Sequence, residues 1–415
     1  MNKRWLAVLL CITALLLCAC ERRQTGSGPQ MSPEAVEEFY ARKAAAATAV
    51  SEENVLMSDS GDTVFGSDLL RTEVSAITFL GSLEGKPGNS WDVSQGQNGT
   101  VWAWTVSGGG FYELYIAAER GIYAPENCSG LFAGYTNLTG IDFGDVFDTC
   151  NAVNMSEMFL DCGSYAGELD LSGFSTGNVT DMSRMFARTY LLNGVDLSSF
   201  DTSAVTNMGG MFAGSGVSEL DLSGFDTSAV TDMSSMFDGC ALLTQLDLSS
   251  FDTTAVTDMS GMFSACNALE KLNLSSFDTS SVRTMAYMFD RCGLPQIDVS
   301  SFDTSRVESM ESMFACCWNV TELDLSNLNT SRVETMAAMF YDCSSLRFVD
   351  VSSFDTSSVE DMSNMFYHDH ELETPDVGGF DVSNVKFFDG FMLPDVEVDG
   401  KPWEELFTAR HTLQD

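Results

Sequence analysis

One pattern of apolar and polar residues repeats every 25 or 26 residues along most of this chain. Its clearest marker is a large apolar side chain at one position of each copy: Phe174, Phe200, Phe225, Phe251, Phe277, Phe302, Leu328, Phe354 and Phe380. Eight good copies run from Leu169 to about Thr374, and degenerate copies occupy 141–168 and 375–400. A fixed period of this length is typical of stacked repeats, in which each copy buries its apolar face against its neighbours.

Within one copy, residues 246–271, the pattern changes from strand-like to helix-like. Residues 246–249 alternate apolar and polar side chains, as a half-buried strand does. Residues 252–254 are Asp, Thr and Thr, which favour a turn because their short polar side chains bond to nearby backbone. The apolar side chains from Val256 to Leu269 then recur three or four residues apart. This spacing fits a short helix or a chain of turns.

The leucine spacing indicates the class of repeat. Leu243-x-x-Leu246-x-Leu248 matches the start of the leucine-rich-repeat consensus, although Phe251 stands at its asparagine position. The expected fold class is therefore a leucine-rich-repeat-like repeat solenoid. It would have a parallel sheet wall, a short helix/turn wall, and N-terminal and C-terminal caps.

The repeated unit LDLSSFDTS-x-VTDM-x-x-MF-x-x-C resembles the BspA-type leucine-rich-repeat surface proteins of bacteria. The resemblance covers about residues 70–395 and includes an aromatic leader around Trp91–Tyr115. It implies a cell-surface protein that takes part in adhesion to host proteins or other cells. It brings no catalytic motif with it.

The start of the chain has the features of a processing segment. A basic start precedes an apolar run at 5–17, which is too short to span a bilayer as a helix. The sequence Leu-Cys-Ala-Cys at 17–20 resembles a bacterial lipobox. The resemblance implies a lipoprotein in which a signal peptide, 1–19, is removed and Cys20 carries the lipid, such as palmitate. The alternative is an ordinary secretory peptide with incidental cysteines.

These patterns divide the chain into five segments. They are a signal peptide at 1–19, a tether at 20–32, an N-terminal helix and capping region at 33–140, the repeats at 141–374, and a degenerate repeat with a C-terminal cap at 375–415. Each end of a repeat stack exposes an apolar face that must be covered, so we expect a cap at both ends.

Charge restricts the partners. The chain has 20 Lys and Arg against 60 Asp and Glu, a formal net charge of −40, so we expect no nucleic-acid binding and no membrane contact except through lipid.

Much of the charge lies at one position of the predicted strand: Asp170, Asp196, Asp221, Asp247, Asn273, Asp298, Asp324 and Asp350. We call the surface carrying Asp196, Asp221, Asp247, Asp298 and Asp324 the acidic wall, and we predict that it binds a partner. Solvation, bonding to serine and divalent cations remain open as ways to offset the repulsion.

The sulfur-containing residues recur in register as well. Nine methionine pairs run from Met155/Met158 to Met362/Met365, and core filling explains them better than metal binding does. Six cysteines share one repeat position: Cys162, Cys240, Cys266, Cys292, Cys317 and Cys343. Because there is one cysteine per copy, we predict a column of buried free thiols. Disulfides between copies remain possible, since the distance between neighbouring strands is compatible with the Cα separation of a disulfide. A linear column does not converge ligands for zinc, so we expect no metal site and no cofactor.

No nucleophile and base are paired anywhere in the sequence, and polar groups recur instead as columns of like residues. We therefore expect no enzymatic activity. The sequence predicts a non-enzymatic, lipid-anchored protein of the cell envelope, exposed at the surface, which binds host or bacterial surface proteins as an adhesin. The partner is expected to be basic. The alternative is a structural surface spacer without a specific ligand.

Overall fold

The computed structural model describes residues 54–163, 169–189, 195–394, 396–398 and 400–411. The chain divides into two units, Met1–Ser51 and Glu52–Asp415, and the described residues belong to the second. The predicted signal peptide, the lipidation site at Cys20, the tether and the predicted N-terminal helix lie outside the described residues.

A mixed five-stranded sheet forms the first part of the described chain. Its strands are β1 (Val74–Leu80), β2 (Trp91–Asp92), β3 (Trp102–Gly108), β4 (Phe111–Ala117) and β6 (Ile141–Asp142), in the order β2-β3-β4-β1-β6. A 3₁₀ helix, Arg71–Glu73, leads into β1. Strands β3 and β4 form an antiparallel hairpin, whereas β1 pairs in parallel with both β4 and β6. The sheet therefore joins the leader directly to the start of the repeats.

The other elements are short. They are β5 (Ile122–Tyr123), β7 (Phe147–Asp148), β8 (Gln245–Asp247), β9 (Lys271–Asn273), β10 (Glu322–Leu323), β11 (Phe348–Val349), β12 (Glu397–Val398), β13 (Lys401–Pro402) and one helix, α1 (Glu404–His411). They pair as β5-β7, β8-β9, β10-β11 and β12-β13, each a two-stranded sheet. Among the described residues, no helix occurs between residues 74 and 403.

A continuous ladder of single parallel bridges connects the repeats, and it follows the methionine side of each unit. The bridged residues are Asn127, Asn154, Asp181, Asn207, Asp232, Asp258, Thr284, Ser309, Thr335, Asp361 and Phe387. Alternate backbone N–H groups beyond each bridge also bond to the next unit. Met233 N–H, for example, donates to Asp258 O at 3.1 Å, and Phe237 N–H donates to Met262 O at 3.0 Å. We call this surface, from the bridge to the cysteine position of each unit, the ladder wall.

Left-handed backbone conformations keep the ladder wall from being helical. In one unit the φ angles of Tyr287 and Arg291 are 61° and 55°. Their N–H groups donate outward to the next unit, to Glu311 O and Ala315 O, both at 2.8 Å. The N–H of Met288 closes a tight turn onto Met285 O at 3.2 Å. A run of such turns produces the three-to-four-residue apolar spacing without a helix.

The predicted fold class is therefore wrong. A leucine-rich-repeat-like solenoid with a parallel sheet wall and a short helix/turn wall requires a continuous sheet at the Leu-Asp-Leu-Ser segments. Those segments pair only as β8-β9 and β10-β11, with two or three residues in each strand. Of the two alternatives for residues 256–269, the chain of turns is correct and the short helix is wrong. The described chain consists of small separate sheets, turns and a ladder of isolated bridges.

The core is made of columns of like side chains. Ten phenylalanines stack with ring centroids 5.2–5.9 Å apart: Phe132, Phe159, Phe186, Phe212, Phe237, Phe263, Phe289, Phe314, Phe340 and Phe366. The nine methionine pairs are fully buried beside them, which confirms their expected role as core. Phe391 ends the stack by packing edge-on against Phe366, and it also contacts Trp403 and Phe407 near and within α1.

Candidate binding surface

All five aspartates of the acidic wall are exposed. Each follows an apolar residue and precedes a buried leucine or valine, so the alternation of the sequence does place the carboxylates outward. This part of the prediction is confirmed. Whether the surface binds a partner is a separate question that exposure alone does not answer.

Each wall aspartate closes a local turn. The Oδ1 atoms of Asp221, Asp247 and Asp298 accept the backbone N–H of the serine two residues later, all at 3.0 Å. Of the ways left open to offset the repulsion between neighbouring carboxylates, hydrogen bonding to serine is the one present in the structure. Asn273, the one amide in this column, accepts the Ser275 N–H in the same way at 3.1 Å. The turn thus depends on the side-chain oxygen and does not require the charge.

Hydrogen bonds lower the pKa values of the wall carboxylates. The hydroxyl and backbone N–H of Ser223 hold the pKa of Asp221 below its usual value. The pKa values of Asp247, Asp298 and Asp324 are lowered by the corresponding serine groups. For Asp196, the backbone and side chain of Ser198 lower the pKa, and repulsion from Asp170 and Asp221 partly opposes them. Aspartates are ionised at neutral pH even at their ordinary pKa, so the wall is charged there, and the hydrogen bonds extend the charged range to lower pH.

A second aspartate column confirms the predicted turn at the Asp-Thr-Ser position. Asp252 Oδ1 accepts the Thr254 N–H at 3.0 Å, and Asp303 Oδ1 accepts the Ser305 N–H at 2.9 Å. The threonine in the middle of each of these turns has a role that the sequence did not reveal. Buried Thr253 donates through Oγ1 to Asp278 O and accepts the Asp278 N–H, both at 2.9 Å. The sequence did contain a signal for this role. Threonine recurs at this position, although serine or another small polar residue could also make the turn.

Equivalent threonines form a ladder of side-chain to backbone bonds between units. The Oγ1 atoms of Thr176, Thr202, Thr227, Thr253, Thr279, Thr304, Thr330 and Thr356 each donate to the next unit at 2.8–3.0 Å. All of them are buried. They hold the backbone under the acidic wall in register, so the wall aspartates are fixed at regular intervals.

The cysteine column is buried and free, as expected. The six cysteines of the column have no disulfide partner, and all six are buried. Cys240 Sγ donates to Phe212 O at 3.2 Å and Cys266 Sγ to Phe237 O at 3.1 Å. Burial raises the pKa of Cys240 to about 12 and that of Cys292 to about 11. Thiols held in this way are neutral and poorly nucleophilic at neutral pH.

Asp369 occupies the cysteine position in the eighth good copy and lies 95% buried there, with 5% of its surface exposed. Its Oδ1 atom accepts the Cys343 N–H at 2.7 Å, and Oδ2 has no hydrogen-bond partner among the described residues. Burial raises the pKa of Asp369 to about 8. The neighbouring His368 is stacked on Tyr367, with ring centroids 4.3 Å apart. Six other copies have a cysteine at this position, and the replacement by aspartate does not by itself reveal a buried carboxyl.

The aromatic leader is largely packed against its own sheet. Trp104 is 7% exposed and stacks on Tyr115 at a centroid distance of 5.7 Å. The Lys86 ammonium lies 3.9 Å from the centroid of the Trp102 ring. These contacts occupy ring faces that a ligand would otherwise use, so the leader is a weaker candidate surface than the acidic wall.

Two other kinds of feature are absent from the described residues. Three or more His, Cys, Asp or Glu side chains do not converge there on a position that could hold a metal ion. In the same part of the chain, no helix combines the length and the apolar character needed to cross a membrane.

Comparison with known proteins gives one family. A family model described as "Mycoplasma protein of unknown function, DUF285" matches residues 126–240, 215–322 and 314–395. No curated protein and no solved structure matches the chain. The resemblance to BspA-type surface proteins stays a prediction, because the description of the matched family gives no function. The three matches together cover more than half of the chain, which therefore belongs to this family of unknown function, DUF285.

Proposed function

We propose that this chain is a non-enzymatic surface lipoprotein that binds a basic protein partner along the acidic wall. The observation that carries the proposal is the row of exposed, ionised aspartates at Asp196, Asp221, Asp247, Asp298 and Asp324. Regularly spaced charges of one sign attract a partner with a basic patch and speed its association.

The wall is also rigid, which favours recognition over simple solubility. Every carboxylate accepts a backbone bond within its own turn, and the turns are tied to neighbouring units through buried threonines such as Thr227 and Thr253. Fixed charges lose little conformational freedom when a partner binds. The turns and threonines stabilise the fold in either function, whereas a spacer without a ligand needs no exposed row of charges of one sign, so that row is what supports binding.

The test removes charge and keeps the fold. Asp221→Asn, Asp247→Asn and Asp298→Asn together remove three charges, and Asn273 already shows that asparagine makes the same turn. Parent and triple variant are used to capture host and bacterial surface proteins, and association rates are measured for each captured partner.

We expect the triple variant to associate more slowly with its partners. Rising salt should slow the parent toward the same rate, because exposed charges are screened over about 8 Å at physiological ionic strength. If every captured partner associates with the variant at the parent rate, the wall is not the site. In that case the aromatic leader around Trp91–Tyr115 is the next surface to test. If nothing is captured, the spacer function is favoured.

Attachment to the membrane is tested separately. The lipobox-like sequence at 17–20 motivates the proposal that lipid on Cys20 holds the protein at the cell envelope. Cys20→Ser should move the protein from the detergent phase to the aqueous phase when cells are partitioned. A variant that still fractionates with lipid rules out this anchor.

A further inference from the structure

A shallow depression of about 460 Å³ interrupts the acidic wall between β8 and residue 298. Its polar lining includes Asp247, Lys271, Gln296 and Asp298, and leucine and proline side chains form its apolar part. We call it the wall depression. It divides an otherwise regular row of exposed carboxylates, so it is the place on this wall where a side chain of a partner can be surrounded.

A shortened repeat lies beside the wall depression. Phe277 and Phe302 are 25 residues apart, as are Phe200 and Phe225, whereas Phe251 and Phe277 are 26 apart. In this unit Gly293 lies so close to its neighbour that a Cβ there would be 2.1 Å from Asn267 O. The Gly293 N–H donates to Cys266 O at 3.0 Å. Glycine is required for this close approach, and the residue that follows it, Leu294, lines the depression.

The apolar part of the depression is accessible. Leu272 in β9 is half-buried, whereas the equivalent Leu246 and Leu323 are 5% and 2% exposed. Pro295 is exposed beside it. An occupant with an aliphatic stem can therefore cover Leu272 while its polar end remains near the charged rim.

The rim is acidic on both sides. Asp247 and Asp298 lie on opposite sides of Asn273 and are exposed, and each uses Oδ1 to accept a serine N–H. Lys271 is also exposed in the depression and partly offsets their charge. Two carboxylates around an apolar surface suit a guanidinium, which is planar, weakly hydrated and able to bond to carboxylates through several N–H groups.

We propose that the wall depression receives an arginine side chain from an extended basic segment of the protein partner, with Asp247 and Asp298 binding the guanidinium. This inference rests on the proposed function and adds to it the recognition point and the chemistry of the contacting residue. The rest of the wall attracts the partner, and the depression holds it.

The test separates local contact from general charge. The full chain is titrated with a fluorescent oligo-arginine peptide, and two double variants are compared: Asp247→Asn with Asp298→Asn, and Asp196→Asn with Asp324→Asn. Both pairs remove two charges from the acidic wall, but only the first pair lines the depression. We expect the first pair to raise the Kd roughly tenfold and the second to raise it roughly twofold, since exposed charges contribute little individually.

The outcomes distinguish the two proposals. If both pairs weaken binding equally, the wall acts only as diffuse charge, and the depression is not a recognition point although the proposed function stands. If neither pair changes the Kd, the inference and the acidic-wall function both fail. If oligo-lysine of equal length binds the parent as tightly as oligo-arginine, the assignment to arginine is wrong.

Two further substitutions test the depression while keeping its carboxylates. Lys271→Gln should tighten oligo-arginine binding, because it removes the one basic group of the depression. Gln296→Phe should weaken binding by filling the depression with no change in charge. Its matched control is Thr374→Phe, at the same repeat position and exposed, but outside the depression. Equal effects of the two phenylalanine variants overturn the inference.

Discussion

The two walls of each repeat use opposite kinds of hydrogen bond. On the ladder wall, the backbone of each unit bonds directly to the next, and single bridges continue from Asn127 to Phe387. On the acidic wall, strand pairing is limited to β8-β9 and β10-β11. There the aspartates bond within their own turns, and connection between units passes to the threonines beneath. One wall is built from backbone contacts, and the other exposes side chains that can vary.

This difference separates stability from recognition. On the ladder wall, the Phe, Met and Cys side chains form columns that are almost wholly buried. Side chains of the acidic wall are exposed and can lose their charge while keeping their turn, as Asn273 shows. Substitutions on the two walls should therefore have very different effects on the free energy of unfolding.

The largest effect is expected in the phenylalanine stack. Phe263 is fully buried and lies 5.9 Å from Phe237 and 5.7 Å from Phe289, measured between ring centroids. Phe263→Ala should lower the free energy of unfolding by about 3–5 kcal/mol, as large-to-small changes in a core do. Urea denaturation followed by circular dichroism measures this loss. Phe348→Ala, at a wall position 51% exposed, is the control and should cost less than about 0.5 kcal/mol. Similar losses for both variants would contradict the division of roles.

Asp369 is the exception within the buried columns, and it should make stability depend on pH. Its pKa is raised to about 8 in the folded chain, above the unfolded value of about 3.9. The folded state therefore holds the proton of Asp369 more tightly, so the contribution of Asp369 to stability is highest below about pH 4 and falls as pH rises toward 8. Asp369→Cys, which restores the column residue, should stabilise the chain by about 2–4 kcal/mol at pH 8 and by less at pH 5.

The measurement for Asp369 is the denaturation midpoint of parent and variant between pH 5 and 9. Asp369→Asn is the matched control, because it keeps the size of the side chain and removes the titration. Both variants should lose the downward slope that Asp369 gives the parent in this range. A slope that persists unchanged in both variants would show that Asp369 is not the group responsible.

A smaller effect is expected from the threonine ladder. Thr253→Val keeps the shape of the side chain but leaves the Asp278 N–H and carbonyl without their partner. The expected cost is about 1–3 kcal/mol, the penalty for leaving buried polar groups unsatisfied. Thr254→Val tests the neighbouring exposed hydroxyl, which bonds only to Asp252 Oδ1, and should cost less than about 0.5 kcal/mol. Equal costs in urea denaturation would mean that the ladder adds no stability.

Much of the repeat could be predicted from the sequence, but its hydrogen bonding could not. Periodicity alone identified the buried Met259 and Met262 and the exposed Asp247, because burial follows the spacing of apolar residues. It could not show that Tyr287 and Arg291 adopt positive φ, since neither residue favours that conformation. Consecutive tight turns and a helix give the same apolar spacing. The spacing therefore could not show that the backbone pairing between units lies on the ladder wall and not at the Leu-Asp-Leu-Ser segments.

The candidate site was predictable to a similar degree. Exposure of Asp221 and Asp298 followed from alternation with buried leucine and valine. The wall depression did not, because it depends on how three neighbouring units pack, including the close approach of Gly293 to Asn267 O. The spacing shows a 25-residue unit both here and between Phe200 and Phe225, so the sequence alone does not identify the depression.

The smallest effect is expected from a single turn of the acidic wall, and it should appear only in acid. Ser223 lowers the pKa of Asp221, so the ionised carboxylate is favoured in the folded chain. Its contribution is present above the unfolded value of about 3.9 and is lost as pH falls through the lower folded value. Because Asp221 is exposed, screening limits this contribution to a few tenths of a kcal/mol. Asp221→Asn keeps the turn without the charge, so the difference in urea midpoint between parent and variant should shrink or change sign between pH 5 and 2. Asn273→Asp provides the opposite change, since it places a new carboxylate between Asp247 and Asp298 and should make the chain more sensitive to acid. Parallel pH profiles for the parent and both variants would show that the wall carboxylates contribute charge to recognition and nothing measurable to the fold.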